Sequence, residues 1–219
     1  MRVLFLGDSV TAGWANDDVN DGWPYLFAAR TGWEATNLSI GGSLLHDPLV
    51  TDQLSSSSRS ILKQVPVNLS AFDLVIIDGG RNDVIEHGDE YTDYRLTPAT
   101  RQVNPRSLEQ PKYVLQDLVA QIRASGVEAR VIGITPRSNG GAREDFNLPI
   151  QARVVSMNSW SSACFGSRFV SIEGRLGDIR GGLGNTAYYT GDGLHLNALG
   201  QQSVADAVYH SLRDFGRPS

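Results

Sequence analysis

The chain has a single cysteine, Cys164, among 219 residues. That excludes an intrachain disulfide and any Cys-based zinc cluster, so cohesion must come from packing. It also lacks a run of Lys or Arg able to track a phosphate backbone. The 19 basic residues and 24 acidic ones are interspersed and leave a net charge of -5, which argues against nucleic acid as a partner. No stretch approaches the roughly 18 consecutive apolar residues of a membrane span. Nor is there an internal repeat or a linker-like stretch, and the length suits one α/β unit; a single domain over 1–219 is expected. Met1 and Arg2 run directly into a strand-like segment with no signal-peptide pattern, so a cytoplasmic location is expected. Cys164 follows an apolar stretch and reads as a small buried hydrophobe.

Five short segments rich in β-branched and large apolar residues read as buried parallel strands: Val3 to Leu6, Ala35 to Ile40, Leu74 to Ile77, Arg130 to Ile134 and Phe169 to Ile172. Between them, Leu115, Leu118, Val119 and Ile122 occupy one helical face, and Gly126 ends that helix. A last helix is predicted from Asn197 as N-cap, with Val204, Val208 and Leu212 facing the sheet. Alternating strands and helices predict an α/β architecture, an open parallel sheet with helices on both faces, whose ligands bind beyond the carboxyl ends of the strands. Asp47 to Asn68 and Ile85 to Gln110 resist assignment and are read as decorations on the binding face.

Chemistry is therefore sought just after each strand. The first ends in Gly7-Asp8-Ser9-Val10-Thr11-Ala12-Gly13, which places a hydroxyl at a strand-to-helix turn where Oγ can be exposed as a nucleophile; Asp8 or Ser9 acting only as a helix cap is the competing reading. Asp192-Gly193-Leu194-His195 precedes the last helix. The spacing lets Asp192 accept from His195 Nδ1 and leaves Nε2 to face a nucleophile, although a lone segment of this kind also fits a plain Gly-centred turn. After the third strand come Gly80, Arg81, Asn82 and Asp83, where the Asn82 amide is a neutral donor suited to an oxyanion hole. After the second come Gly41 and Gly42, whose N–H groups can point into the same crevice. Either glycine segment could equally be a simple turn. The G-x-S-x-G elbow of α/β-hydrolases is missing around Ser9. His46, His87 and His210 lack ligand spacing, and Trp23 and Trp33 read as packing, with Trp14 close enough to the nucleophile turn to line a pocket.

Taken together and in this order, Gly7 through Gly13, Gly42, Gly80 through Asp83 and Asp192 through His195 resemble the sequence blocks of the SGNH, or GDSL, hydrolases, and the likeness covers most of the chain. The resemblance implies a flavodoxin-like three-layer α/β/α fold with an open parallel five-stranded sheet. It also implies a metal-free, cofactor-free serine esterase in which Ser9, His195 and Asp192 are the triad and the Ser9 N–H, the Gly42 N–H and the Asn82 side chain form the oxyanion hole. The expected partner is a small-molecule ester, with short acyl groups favoured. The polar, Tyr- and Arg-bearing stretch Ile85 to Gln110 suits a hydroxylated alcohol such as an acylated carbohydrate. An acyltransferase with the same triad and a catalytically silent binding module are the alternatives; oligomeric state is not legible.

Overall fold

The computed structural model describes residues 1–14, 21–45, 60–86, 108–138, 144–177, 183–213 and 215. Its strands are β1 (Arg2–Gly7), β2 (Glu34–Asn37), β3 (Leu74–Asp78), β4 (Glu128–Ile132) and β5 (Phe169–Val170). The helices, in chain order, are α1 (Trp23–Thr31), α2 (Arg81–Glu86), α3 (Glu109–Ala124), α4 (Glu144–Phe165), α5 (Glu173–Leu176) and α6 (Ala198–Leu212). All pairings are parallel and the order is β2-β1-β3-β4-β5, the flavodoxin-like arrangement, with its topological switch point between β1 and β3.

Alternation along each central strand builds the layers. In β1, Leu4 and Leu6 join Val75 and Ile77 of β3 on one face, under Leu115, Leu118, Val119 and Ile122 of α3 and Val154 and Met157 of α4. Val3 and Phe5 join Leu74 and Ile76 on the other face, under Trp23 and Phe27 of α1 and Val204, Val208 and Leu212 of α6. A parallel strand buried on both sides has no polar face, and so these segments read as continuous apolar runs. Gly126, at φ 85, ends α3 with its N–H on the Arg123 carbonyl. Asn197 caps α6, its side chain accepting from the Gly200 N–H at 3.0 Å.

Several boundaries differ from expectation. β2 begins one residue earlier and ends at Asn37, although the Leu38 and Ile40 N–H groups still bond to β1 carbonyls of Phe5 and Gly7 at 3.0 and 3.2 Å. β4 begins at Glu128 and ends two residues short of Ile134; β5 is two residues long. Residues 8–14 form hydrogen-bonded turns rather than a regular helix, with Ala12 N–H on the Asp8 carbonyl and Trp14 N–H on the Ser9 carbonyl, both at 2.9 Å. Cys164 is exposed, not buried. It lies in the last turn of α4, at the margin of the stripe formed by Val154, Met157, Ser161 and Phe165, so the apolar residues near it in sequence do not cover it. Of the two unassigned stretches, residues 60–68 hold a 3₁₀ turn over Ile61–Gln64, and Ile85, Glu86, Glu109 and Gln110 belong to helices; 47–59 and 87–107 lie outside the described residues, as do His46 and His87. Among the described residues, no helix is long and apolar enough to cross a membrane.

Candidate active site

The carboxyl ends of β1 and β3 flank the switch point, and the segments that follow them carry Ser9 in a turn and Asn82 in the first turn of α2. β1 and β3 approach so closely there that a Cβ on Gly7 would lie 2.7 Å from both the Asp78 carbonyl oxygen and Thr11 Oγ1. Only glycine allows the chain to turn at that point. Asp8 then caps the turn, accepting from the Val10 N–H at 3.0 Å, which leaves the Ser9 hydroxyl uncommitted to capping. Of the two readings open for Asp8-Ser9, capping belongs to the aspartate.

Ser9 Oγ lies 2.9 Å from His195 Nε2, and His195 Nδ1 lies 2.6 Å from Asp192 Oδ2. The latter contact assigns the Nδ1–H tautomer, with the Nε2 lone pair toward Ser9. Ser9 and His195 are both buried, at 6% and 5% exposure, so the hydroxyl does not stand out from the surface. The Asp192 carboxylate is half-exposed but heavily used: Oδ1 accepts from the Leu194 N–H, the His195 N–H and the Thr190 hydroxyl at 2.8, 2.9 and 2.7 Å. Partial burial pushes its pKa up, but the bonds from the His195 ring, the two N–H groups and Thr190 outweigh that and hold the carboxyl below the usual range. The loop is braced from beneath by Tyr189, which donates to the Pro136 carbonyl at 2.6 Å and whose phenol burial pushes to higher pKa.

Gly42, at φ 78, adopts the left-handed backbone that favours glycine. Among the described residues, neither its N–H nor that of Ser9 has a hydrogen-bond partner. The Asn82 amide is not wholly free, as one N–H reaches the Ser43 carbonyl at 2.8 Å; an amide has a second to offer. Next to it, Asp83 accepts from the Leu45 N–H at 2.9 Å, so α2 pins the 43–45 loop at two points. Trp14, 65% exposed, meets the His195 ring edge-to-face with centroids 4.8 Å apart. Trp23 is buried against Phe5 and Trp33 packs on Phe27. His210 is exposed on α6.

Sequence reasoning missed the polar supports. Arg81 is buried between Asp8 and Asp78, at 3.5 and 3.8 Å, and donates to Thr135 Oγ1. Burial raises the Asp78 pKa to about 6; Arg81 opposes this, Asp8 adds to it, and the Thr11 hydroxyl, bonded at 2.7 Å, opposes it again. Gln64 is buried and bonds to both polar groups of the Gly7 backbone and to Ser43, and Gln201 of α6 accepts from the Trp23 N–H at 2.9 Å. Gln64 and Gln201 are single polar residues with no spacing signal, and although Asp8 and Arg81 stand inside the motif segments, nothing in the sequence marks them as buried partners.

A profile of the GDSL-like lipase/acylhydrolase family matches residues 5–203. The chain belongs to this family. It is, on that footing, a carboxylic ester hydrolase, and its sheet is the SGNH hydrolase sheet. Among solved structures, a protein proposed to be an acylhydrolase, from Bacteroides fragilis, superposes with a TM-score of 0.65 at 17% identity, over 99% of this chain and 88% of its own. A protein proposed to be an arylesterase, from Agrobacterium tumefaciens, gives 0.65 at 20% identity over 97% and 98%. An acetyl xylan esterase gives 0.62 at 16% over 97% and 100%. No curated protein matches the sequence.

Proposed function

We propose that Ser9 is the nucleophile of a serine esterase acting on short-acyl esters, with His195 as general base and Asp192 as its orienting carboxylate. The observation that carries the reading is the unbroken chain from Ser9 Oγ through both ring nitrogens of His195 to Asp192, ending at a hydroxyl that no cap consumes. His195 Nε2 takes the Ser9 proton as Oγ attacks the ester carbonyl. The Ser9 and Gly42 N–H groups and the second Asn82 N–H receive the tetrahedral oxyanion, and being held in place beforehand they need no reorganisation. His195 returns the proton to the departing alcohol; water, deprotonated by the same ring, then cleaves the acyl-enzyme. The whole relay lies within 1–219, read as one catalytic unit, and the proton path needs no metal or organic cofactor.

For the alcohol, an acylated carbohydrate is the preferred class. Trp14 presents an exposed indole beside the base, a flat apolar surface with a polar edge on which a sugar ring can rest. The acetyl xylan esterase among the structural neighbours is in line with this choice.

The test is labelling with a fluorophosphonate, read by intact-protein and peptide mass spectrometry. One adduct on Ser9, and loss of both labelling and ester hydrolysis in a folded Ser9→Ala protein, is the expected result. Hydrolysis surviving in Ser9→Ala would reject Ser9. Parallel assays of acetylated sugars and simple acetates with added alcohol acceptors measure the alcohol preference and any acyl transfer.

A further inference from the structure

The three donors proposed for the oxyanion come from separate segments, and one buried side chain ties those segments together. Gln64 sits at the end of the 3₁₀ turn Ile61–Gln64, which starts at Ser60, whose Oγ accepts from the Leu62 N–H. Its Oε1 accepts from the Gly7 N–H at 2.8 Å, while its Nε2 donates to the Gly7 carbonyl at 2.8 Å and to Ser43 Oγ at 2.9 Å. Each of these contacts lies within two residues of a proposed donor. Gly7 is two residues before Ser9. Ser43 directly follows Gly42, and its carbonyl receives the Asn82 amide. The side chain is 5% exposed, so water cannot readily substitute for the bonds it makes.

We infer that Gln64 is the positioning residue of the oxyanion hole, locking the Ser9 turn and the Gly42–Ser43 loop at one fixed separation. It touches neither substrate nor reacting atoms; it acts through the Gly7 and Ser43 groups. Glutamine suits the task because a primary amide matches the peptide's own donor and acceptor side by side and has one N–H left for a third partner. An aspartate or asparagine is a methylene too short to span the gap, and a carboxylate at this position would set an oxygen against the Gly7 carbonyl. The inference rests on the Ser9 reading above.

The experiment compares Gln64→Met and Gln64→Glu with the wild-type protein in kcat, KM, melting temperature and Ki for an aryl trifluoromethyl ketone. That ketone reports the hole directly: Ser9 Oγ adds to its carbonyl carbon, the proton passes to His195, and the oxyanion occupies the donor site. For Gln64→Met, kcat should fall about 100-fold, as for a displacement near 1 Å, with KM within about twofold and Ki rising by the same factor as kcat/KM falls. In Gln64→Glu the defect should lessen on acidification, read as the variant-to-wild-type ratio of kcat/KM, because the neutral acid again accepts from the Gly7 N–H and donates to its carbonyl. A residue with only a folding role would lower the melting temperature and leave kcat, Ki and the pH-independence of that ratio untouched; that result overturns the assignment. Should Gln64→Met fail to fold, the Gln64→Glu ratio decides by itself. Failure of the Ser9 reading looks different, since Ser9→Ala would then hydrolyse ester and the ketone would not bind the wild-type protein, and the Gln64 assignment would fall with it.

Discussion

Asn82→Ala removes an observed role of one amide together with a proposed one, and their sizes differ enough to be measured apart. The first is structural, the bond from Asn82 to the Ser43 carbonyl at 2.8 Å. A neutral hydrogen bond of this kind contributes about 0.5–1.5 kcal/mol net, and at this chain length each kcal/mol moves the melting temperature by roughly 2–4 °C. A loss of a few degrees is therefore expected. The second is the role proposed for the remaining N–H, as donor to charge that develops only in the transition state; removing one such donor costs about 10²–10³ in kcat. The kinetic effect should far exceed the structural one, and KM should barely move, because a donor to the oxyanion adds little to binding of the neutral ester. Asn82→Asp sharpens the contrast. It keeps the size, loses both donors and places a carboxylate beside the forming oxyanion, so its kcat should fall below that of Asn82→Ala. Steady-state kinetics on a chromogenic acetate, paired with calorimetry of the same preparations, give both readings. A folded Asn82→Ala protein with wild-type kcat would remove Asn82 from the oxyanion hole, and a fall in kcat fully accounted for by unfolded protein would leave it only the loop-pinning role.

Two further outcomes are expected. His195→Ala should lose most of the ester hydrolysis while staying folded, because it removes the only ring bonded to Ser9 Oγ among the described residues; wild-type kcat in the folded variant would rule out His195 as base. Asp78 should make stability pH-dependent in the sense opposite to an ordinary paired carboxylate. Its folded pKa is raised to about 6 from 3.8, so between those values the native state holds a proton that the unfolded chain has released. The stabilisation is full below 3.8 and is lost as pH rises through about 6, by at most about 1.4 kcal/mol per pH unit. The melting temperature of wild type minus that of Asp78→Asn should therefore decline from pH 4 to 6 and level off above; a flat difference would contradict the shift.

What was legible in the sequence was whatever repeats or clusters. The apolar runs of β1 and β3 and the heptad-like spacing of Leu115, Leu118, Val119 and Ile122 are patterns of burial, and burial on both faces leaves a mark at every residue. Likewise Asp192 and His195 sit three apart in one turn, so their bond is a local property that spacing can forecast. The meeting of Ser9 with His195 spans 186 positions, and only the logic of strand ends in a parallel sheet connects them beforehand. Gln64 and the Asp8–Arg81–Asp78 group were not legible for the converse reason. Gln64 and the Asp8–Arg81 pair make their contacts across the fold, Asp78 and Arg81 are only three apart, and in each case a single buried glutamine or arginine looks in sequence like any surface one. The edges of β2, β4 and β5 were misplaced because side-chain preference continues past the last laddered bond; Leu38 and Ile40 keep bonding to β1 without strand geometry.

The 186-residue separation of Ser9 and His195 also has a consequence in time. During synthesis at about 5–20 residues per second, the proposed nucleophile is made roughly 10–40 s ahead of its proposed base. Throughout that interval the imidazole that lies 2.9 Å from Ser9 Oγ has not yet been made, so on the proposed mechanism Ser9 lacks its base. On that mechanism activation waits until the segment that carries His195, just before α6, has been made and has reached Ser9. An enzyme with its base near its nucleophile in the chain would pass through an exposed, half-folded and already reactive state. On the proposed mechanism this one stays inert until residue 195 has been made and folded against Ser9.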